Sequence, residues 1–331
     1  MARIQPKDLR DKNRIPLKEV IPLPTPFSFI LEGNNTCNIA CQYCPTGDPD
    51  LLKQVGRPMG TMRFETWRKI VDDLKKFPSK IKQFHLYKDG EPLMHRDFTK
   101  MVRYLADADV AEVIWAKTNG FLLTPELNSR LGGCGINILG ISVNHVTDEG
   151  LFKLNKRHVS YDKLRENVAD LFSKRGDMKI YIKIADSGLT KDELEKFYTD
   201  FEFISDFIAT EYLHDKSFVE FGSWKLGTDS NTYDGIPKTK KLVCPYPFYG
   251  MAINWNGKVS PCAEDWSHSE ILGDATKESV VDIWNGQKMR DFRLSHLNGL
   301  RHTHKACGTC EYIEIFPENL DANAERLIDV L

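Results

Sequence analysis

The sequence predicts an α/β protein: a parallel sheet curled into a partial (βα)6 TIM-like barrel, followed by a small module built on a β-hairpin and a helix. Three observations carry this. Short apolar or β-branched runs alternate six times with amphipathic helical stretches between Phe27 and Tyr212. Past Tyr212 the alternation stops, and His214–Lys241 is polar and rich in Gly, Ser, Asp and Lys. Beyond it, Asn256-Gly257 lies between two alternating runs, the strongest short signal for a hairpin. At 331 residues the chain has room for about two domains.

Residues 1–26 carry Pro6, Pro16, Pro22, Pro24 and Pro26 among charged side chains, which predicts an extended arm over the surface. The expected strands are Phe27–Glu32, Gln83–Lys88, Glu112–Lys117, Ile136–Val143, Lys179–Ala185 and Phe203–Tyr212. Between them, Glu65–Phe77, Asp97–Asp109, Pro125–Leu131, Tyr161–Lys174 and Lys191–Phe201 repeat apolar residues every three to four positions. Right-handed crossovers place such helices on the outside, so residues 27–213 form a barrel with its ligands at the carboxyl ends of the strands. Residues 214–243 read as a linker or lid, 244–315 as the second module, with a short amphipathic helix over Ser279–Gly286, and 316–331 as a helical tail.

The composition is that of an ordinary water-soluble protein: 41% hydrophobic, 28% charged, net charge −2. No basic excess points to nucleic acid, and no apolar run approaches the roughly 20 residues of a membrane helix. The first residues, with Arg3, Lys7, Arg10 and Lys12, lack the apolar stretch of a signal peptide, so a cytoplasmic location is expected. In that reducing compartment, eight clustered cysteines favour metal over disulfides.

Cys37, Cys41 and Cys44 are spaced C-x3-C-x2-C directly after the first strand, at the ligand-binding rim. A structural zinc site uses four protein ligands, whereas three thiolates on one loop suit a cubane iron–sulfur cluster with one iron left open. The second strand ends at the same rim in Lys88-Asp89-Gly90-Glu91-Pro92, where Gly90 permits close backbone approach and Pro92 leaves a carbonyl free to accept a hydrogen bond. The third leads into Thr118-Asn119-Gly120, and alternation along the fourth puts Ser142 and Asn144 on one face.

Four further cysteines divide between the hairpin region, Cys244 and Cys262, and a distant C-x2-C pair, Cys307 and Cys310. Their spacing admits structural zinc or a fully ligated four-iron cluster. Cys134, in Gly132-Gly133-Cys134-Gly135 at the opposite end of the barrel, reads as a small buried residue.

With Tyr43 just before the last cysteine, the first loop resembles the signature of the radical S-adenosylmethionine (SAM) superfamily, and Asp89-Gly90-Glu91-Pro92 resembles its glycine-glycine-glutamate-proline motif, with Asp89 in the first glycine position. Cys244, the Gly257–Cys262 stretch, Ile271-Leu272-Gly273-Asp274, Val281-Asp282-Ile283-Trp284-Asn285 and the Cys307/Cys310 pair resemble the SPASM/twitch extension of the same superfamily. The resemblance implies two [4Fe-4S] clusters, one on Cys37, Cys41 and Cys44 and an auxiliary one on Cys244, Cys262, Cys307 and Cys310. It implies SAM contacts from Tyr43, Asp89, Gly90, Glu91, Pro92, Asn119, Ser142, Asn144 and Arg157. It also implies reductive cleavage of SAM to a 5′-deoxyadenosyl radical and an external electron donor such as flavodoxin or ferredoxin.

Substrate contacts are expected where polar side chains face the lumen: His85 and Tyr87 opposite Phe84 and Leu86, Lys183 opposite the Ile180–Ile182–Ile184 face, and Glu211 late in the sixth strand. The resemblance favours a small-molecule substrate, a sugar, polyol or aminocyclitol whose hydroxyl is oxidised while the auxiliary cluster accepts an electron. The alternatives are a peptide-modifying SPASM enzyme, a redox-neutral sugar epimerase, and a non-catalytic metal scaffold.

Overall fold

The computed structural model describes residues 2–3, 15–185, 188–211, 232 and 237–331. Residues 4–14 of the expected arm and most of the expected lid, 214–231 and 233–236, lie outside the described residues. The described strands form one sheet in the order β1 (Ala2–Arg3), β7 (Phe207–Glu211), β6 (Lys179–Ala185), β5 (Ile138–Val143), β4 (Ala111–Thr118), β3 (Ile81–His85), β2 (Ser28–Leu31), β8 (Gly250–Ile253), β9 (Lys258–Ser260) and β10 (Gly273–Asp274). Strands β2 to β7 pair in parallel with their neighbours in chain order, the partial barrel that five crossovers build.

Alternation along each strand divides the barrel into two apolar regions. Phe29, Leu31, Phe84, Ile114, Leu139, Ile141, Ile180, Ile182 and Ile208 face outward into the main core, where Trp67, Ile70, Met101, Leu105, Leu164, Leu171, Phe197 and Phe201 of the surrounding helices cover them. Each fully buried side chain of this size contributes about 1.5–3 kcal/mol, and Phe29 stacks on Phe84 at 5.2 Å between ring centroids. On the other face Trp115, Tyr181 and Ala209, flanked by Tyr87, Val113, Ile138 and Phe207, form a separate cluster lining the lumen. Cys134 is buried in the main core.

Several elements differ from expectation. The second strand begins at Ile81 and its ladder ends at His85, although the Leu86 amide still donates to the Trp115 carbonyl at 2.8 Å. Pro49–Val55 is a helix, capped by Asp48 Oδ1 accepting from the amides of Asp50 and Leu51, and so is Asp148–Asn155, capped by Thr147. The arm is not uniformly extended. Ala2–Arg3 pairs with β7, Leu17–Val20 makes one helical turn, and Leu17, Ile21 and Leu23 are buried because the C-terminal part of the chain covers them. There the Trp284 indole donates to the Leu23 carbonyl at 2.8 Å.

The hairpin is present as β8–β9, with Gly257 at φ 80° in its turn. Its first strand also pairs in parallel with β2, so the cysteine-bearing module continues the barrel sheet. Burial on both faces explains this: all four residues of β8 are buried, which a free-standing hairpin could not achieve. Two consecutive helices, Val280–Asn285 and Gln287–Leu297, and a last one, Ala324–Val330, complete the chain.

Candidate active site

The loop from Cys37 to Cys44 leaves the carboxyl end of β2 and is held by a neighbouring helix end. The Ala40 amide donates to the Asn155 carbonyl at 2.8 Å and the Gln42 amide to that of Leu154 at 2.9 Å, using carbonyls left free where helix Asp148–Asn155 stops. Gly47 has to be glycine, since a Cβ there would lie 2.6 Å from the Cys41 carbonyl oxygen. Asn144, at the rim beyond β5, accepts a hydrogen bond from the Tyr43 hydroxyl at 2.5 Å and donates to Cys41 Sγ at 3.3 Å and to Asn155. Asn119 places its amide 3.8 Å from Cys37 Sγ. The geometry thus gathers Tyr43, Asn119 and Asn144 around the cysteines.

The turn after β3 folds back under this loop. A Cβ on Gly90 would meet the Asn34 carbonyl at 2.5 Å, so the close approach expected there is real. The Glu91 carboxylate is buried and accepts from the Leu93 amide at 3.0 Å, the Thr118 hydroxyl at 2.8 Å and the Asn119 amide at 2.8 Å. Burial pushes its pKa up to about 7 against those three donors. Pro92 is buried beside it.

Asp89, where the family motif has glycine, is the centre of a buried ionic cluster. It pairs with Lys88, lies 3.2 Å from His268 Nε2 and 3.9 Å from the Arg57 guanidinium, and its amide donates to Glu32 at 2.9 Å. Burial works against its charge, but Lys88 and the neighbouring donors hold Asp89 down at about 2, while burial and Asp89 itself push Glu32 up to about 7. Lys88 also donates to the Asp265 carbonyl at 3.1 Å and Arg57 to that of Trp266 at 3.2 Å. The cluster therefore fastens the second module's loop 265–268 to the turn. Ligand atoms of Glu32, Asp89 and His268 lie within 4.8 Å of one another, but Lys88 and Arg57 already balance the carboxylates.

In the lumen, Lys183 and Glu211 form an ion pair, and the Tyr181 hydroxyl donates to Glu211 at 2.9 Å. The Tyr87 hydroxyl lies 3.1 Å from His85 Nδ1. Burial and the charge of Lys117 depress His85 to about 3, so its imidazole is neutral. The four expected lumen residues do converge, and Lys117 joins them, its ammonium 4.6 Å from the centre of the Tyr87 ring. Ser142 is half-buried in register with Lys183. Arg157 is exposed, two residues beyond the helix that ends at Asn155. Sequence reasoning missed Lys117 and Asn155. Alternation through Val113, Trp115 and Lys117 carried a signal for the first, and the second depends on a contact made across the fold.

Cys244, Cys262, Cys307 and Cys310 form the second set; Cys244 and Cys262 pack against Tyr246, Ile30 and Ala252, and Cys307 is buried at the main core. The Arg301 guanidinium donates to the carbonyls of Cys307 and Cys310 and pins that turn. Burial pushes the Cys37 thiol up to about 11 and Cys244 up to about 12, with neighbouring thiols adding to the shift. Backbone amides of Asn38 and Ile39 point at Cys37, that of Tyr246 at Cys244, and those of Tyr312 and Ile313 at Cys310. Buried thiols crowded together and facing N–H donors suit metal-bound thiolates. Both sets fit a four-iron cluster.

Comparison with known proteins agrees. The family model for the radical SAM superfamily matches residues 31–201, and that for an iron–sulfur cluster-binding domain (SPASM) matches residues 244–311. A tungsten-containing aldehyde ferredoxin oxidoreductase cofactor-modifying protein of Pyrococcus furiosus is 24% identical over 86% of this chain and 88% of its own length. An S-adenosyl-L-methionine-dependent 2-deoxy-scyllo-inosamine dehydrogenase of Niallia circulans is 25% identical over 88% of this chain and 96% of its own. Among solved structures, BtrN in complex with AdoMet and 2-DOIA shares the fold with a TM-score of 0.54 and 18% identity, over 86% of this chain and 92% of that one.

Proposed function

Since the chain belongs to the radical SAM superfamily, we propose that it oxidises a hydroxyl-bearing carbon of a sugar, polyol or aminocyclitol held in the barrel lumen, with the auxiliary cluster taking up an electron. As a radical SAM enzyme with a SPASM domain it binds SAM and two four-iron clusters. SAM bound at the cluster held by Cys37, Cys41 and Cys44 would supply, on reductive cleavage, a radical able to take a hydrogen atom from a substrate carbon. For that carbon to become a carbonyl, the hydroxyl loses its proton and the remaining electron leaves towards the four-cysteine side, two hydrogens being lost in all.

The chain's own residues divide this work. Cys37, Cys41 and Cys44 hold the SAM-binding cluster, with Asn144 and Asn119 donating to its sulfurs. Gly90, Glu91 and Pro92 shape the turn that receives the amino group of SAM, while Asp89 anchors that turn from behind. Neutral His85 and the hydroxyls of Tyr87 and Tyr181 orient the substrate's hydroxyl groups, and Lys183 with Glu211 fixes the lumen's charge. Cys244, Cys262, Cys307 and Cys310 hold the auxiliary cluster.

The observation that carries the reading is that polar lumen residues lie within one sheet in which β2 leads into Cys37, Cys41 and Cys44, while the adjacent hairpin β8–β9 is flanked by Cys244 and Cys262. The similarity to an S-adenosyl-L-methionine-dependent dehydrogenase over 88% of the chain supports it.

The test is anaerobic reconstitution with an iron count, a 5′-deoxyadenosine assay under reduction, and mass analysis of candidate polyols. About eight irons per chain, SAM cleavage, and a product lighter by two hydrogens are expected. About four irons with one zinc, or a product of unchanged mass, would overturn the oxidative reading.

A further inference from the structure

On the proposed reading that the lumen holds the substrate, we infer that this substrate carries an anionic group, a carboxylate or a phosphate, and that the Lys117 ammonium recognises it.

Few charged side chains face the lumen among the described residues. Lys117 and Lys183 are cationic and Glu211 is anionic; His85 is neutral, and the other polar groups are the hydroxyls of Tyr87 and Tyr181. Glu211 forms an ion pair with Lys183 and accepts from Tyr181. Lys117 forms no ion pair among the described residues; its contact is the face of the Tyr87 ring. Among the described residues the lumen thus carries two ammonium groups and one carboxylate, and Lys117 shares Glu211 with Lys183 without an ion pair of its own. Holding such a charge half-buried is costly unless a partner arrives.

The strand register sets this ammonium beside the lumen's other polar groups. Lys117 on β4 is paired with Gly140 on β5, and Gly140 with Tyr181 on β6. A Cβ at position 140 would lie 3.2 Å from Lys117 Cγ and 3.8 Å from Tyr181 Cδ1. Because position 140 has no side chain, the Lys117 stem and the Tyr181 ring close over it, and the ammonium and the phenol border one stretch of the lumen, with Lys183 and Glu211 further towards the rim. A ring-sized molecule with one acidic substituent would meet a cation at one end and hydroxyl or imidazole partners along its length. An ammonium-bearing ring would instead meet Lys117 and Lys183 as like charges.

The experiment is competition equilibrium dialysis of the reconstituted, SAM-loaded enzyme against equimolar glucose, glucuronate, glucose 6-phosphate and glucosamine. Retention of glucuronate or glucose 6-phosphate at least about tenfold above glucose and glucosamine is expected, and which of the two dominates identifies the anionic group. Lys117→Gln abolishes that preference and Lys117→Arg keeps it, both with wild-type iron content as evidence of folding. Glucosamine retained best, no sugar retained, or a preference that survives in Lys117→Gln would overturn the inference. The dissociation constant for SAM is measured alongside. If Lys117→Gln weakens SAM in the same proportion, the ammonium serves the SAM carboxylate and the inference also falls. Formation of 5′-deoxyadenosine without any anion preference would remove this substrate class and leave the radical SAM reading intact; absence of 5′-deoxyadenosine from the wild type would remove the reading itself.

Discussion

Asp89 shows how a departure from a motif can be structural. Its carboxylate neutralises Lys88 and Arg57 and holds His268, all with side chains buried to more than nine-tenths. Restoring the family's glycine by Asp89→Gly therefore leaves two buried cations with Glu32 as their one remaining carboxylate in this cluster. The expected cost is about 3–5 kcal/mol, a fall in Tm of about 10 °C, accompanied by faster amide exchange in residues 265–269. An unchanged Tm would show the cluster to be dispensable. His296 is the opposite case: it is fully buried, neither ring nitrogen has a partner, and burial depresses its pKa to about 3. Its unfolded pKa is about 6.5, so below that value the unfolded chain binds a proton the native chain refuses, and stability falls as pH falls. His296→Leu removes this term. Relative to wild type, the variant should gain up to about 2 kcal/mol between about pH 7.5 and about pH 5, measured by denaturant unfolding at each pH. Cys37, Cys41 and Cys44 stood out by spacing because their loop is local, whereas the spacing of Cys244, Cys262, Cys307 and Cys310 admitted zinc or a cluster. The reason for Asp89 was not, because Arg57 and His268 reach it from distant parts of the chain.

At the scale of elements, the cysteine loop depends on the end of helix Asp148–Asn155 as much as on its own sequence. Asn155 accepts from the Ala40 amide through its carbonyl and from Asn144 through its side chain. Asn155→Leu leaves the side-chain amide of Asn144 without that acceptor and loosens the loop. Iron per chain should fall from about eight towards about four while the auxiliary set stays loaded, which spectroscopy of Cys244, Cys262, Cys307 and Cys310 variants would assign. Full iron occupancy in Asn155→Leu would show the loop to be held by its backbone alone. The helices Tyr161–Lys174 and Lys191–Phe201 were legible to the residue, since caps at Ser160 and Thr190 coincide with strong three- and four-residue periodicity. Helix Asp148–Asn155 was not, because eight residues give barely two turns of pattern. The hairpin was legible from Asn256-Gly257, yet nothing within Met251–Ile253 says that its outer edge belongs against β2. Pairing partners are a tertiary property.

For the whole molecule, the shared sheet and the C-terminal clamp make one cooperative unit. Leu320 and Leu327 are fully buried, the Leu17 amide donates to Glu318 at 3.3 Å, and Arg326 donates to the Lys18 carbonyl. Truncation after residue 315 should expose the segment around Leu17–Leu23 to protease and lower Tm by about 10 °C or more; loss of two such leucines alone costs about 4–10 kcal/mol. A truncated chain that melts like wild type would show the tail to be an appendage. No helix among the described residues is long and apolar enough to cross a membrane.

The parallel pairing of β2 with β8 also sets a timetable. Ser28 lies opposite Gly250, a separation of 250 − 28 = 222 residues, so the first barrel strand gains its second neighbour after three-quarters of the chain has left the ribosome. Closing so long a loop is entropically slow, and until then one edge of β2, and with it the base of the first cysteine loop, stays open to water. Iron delivered to the nascent chain would meet three thiols on an unfinished strand. Maturation of this protein is therefore best served by metal insertion after synthesis, when both loops stand on a completed sheet.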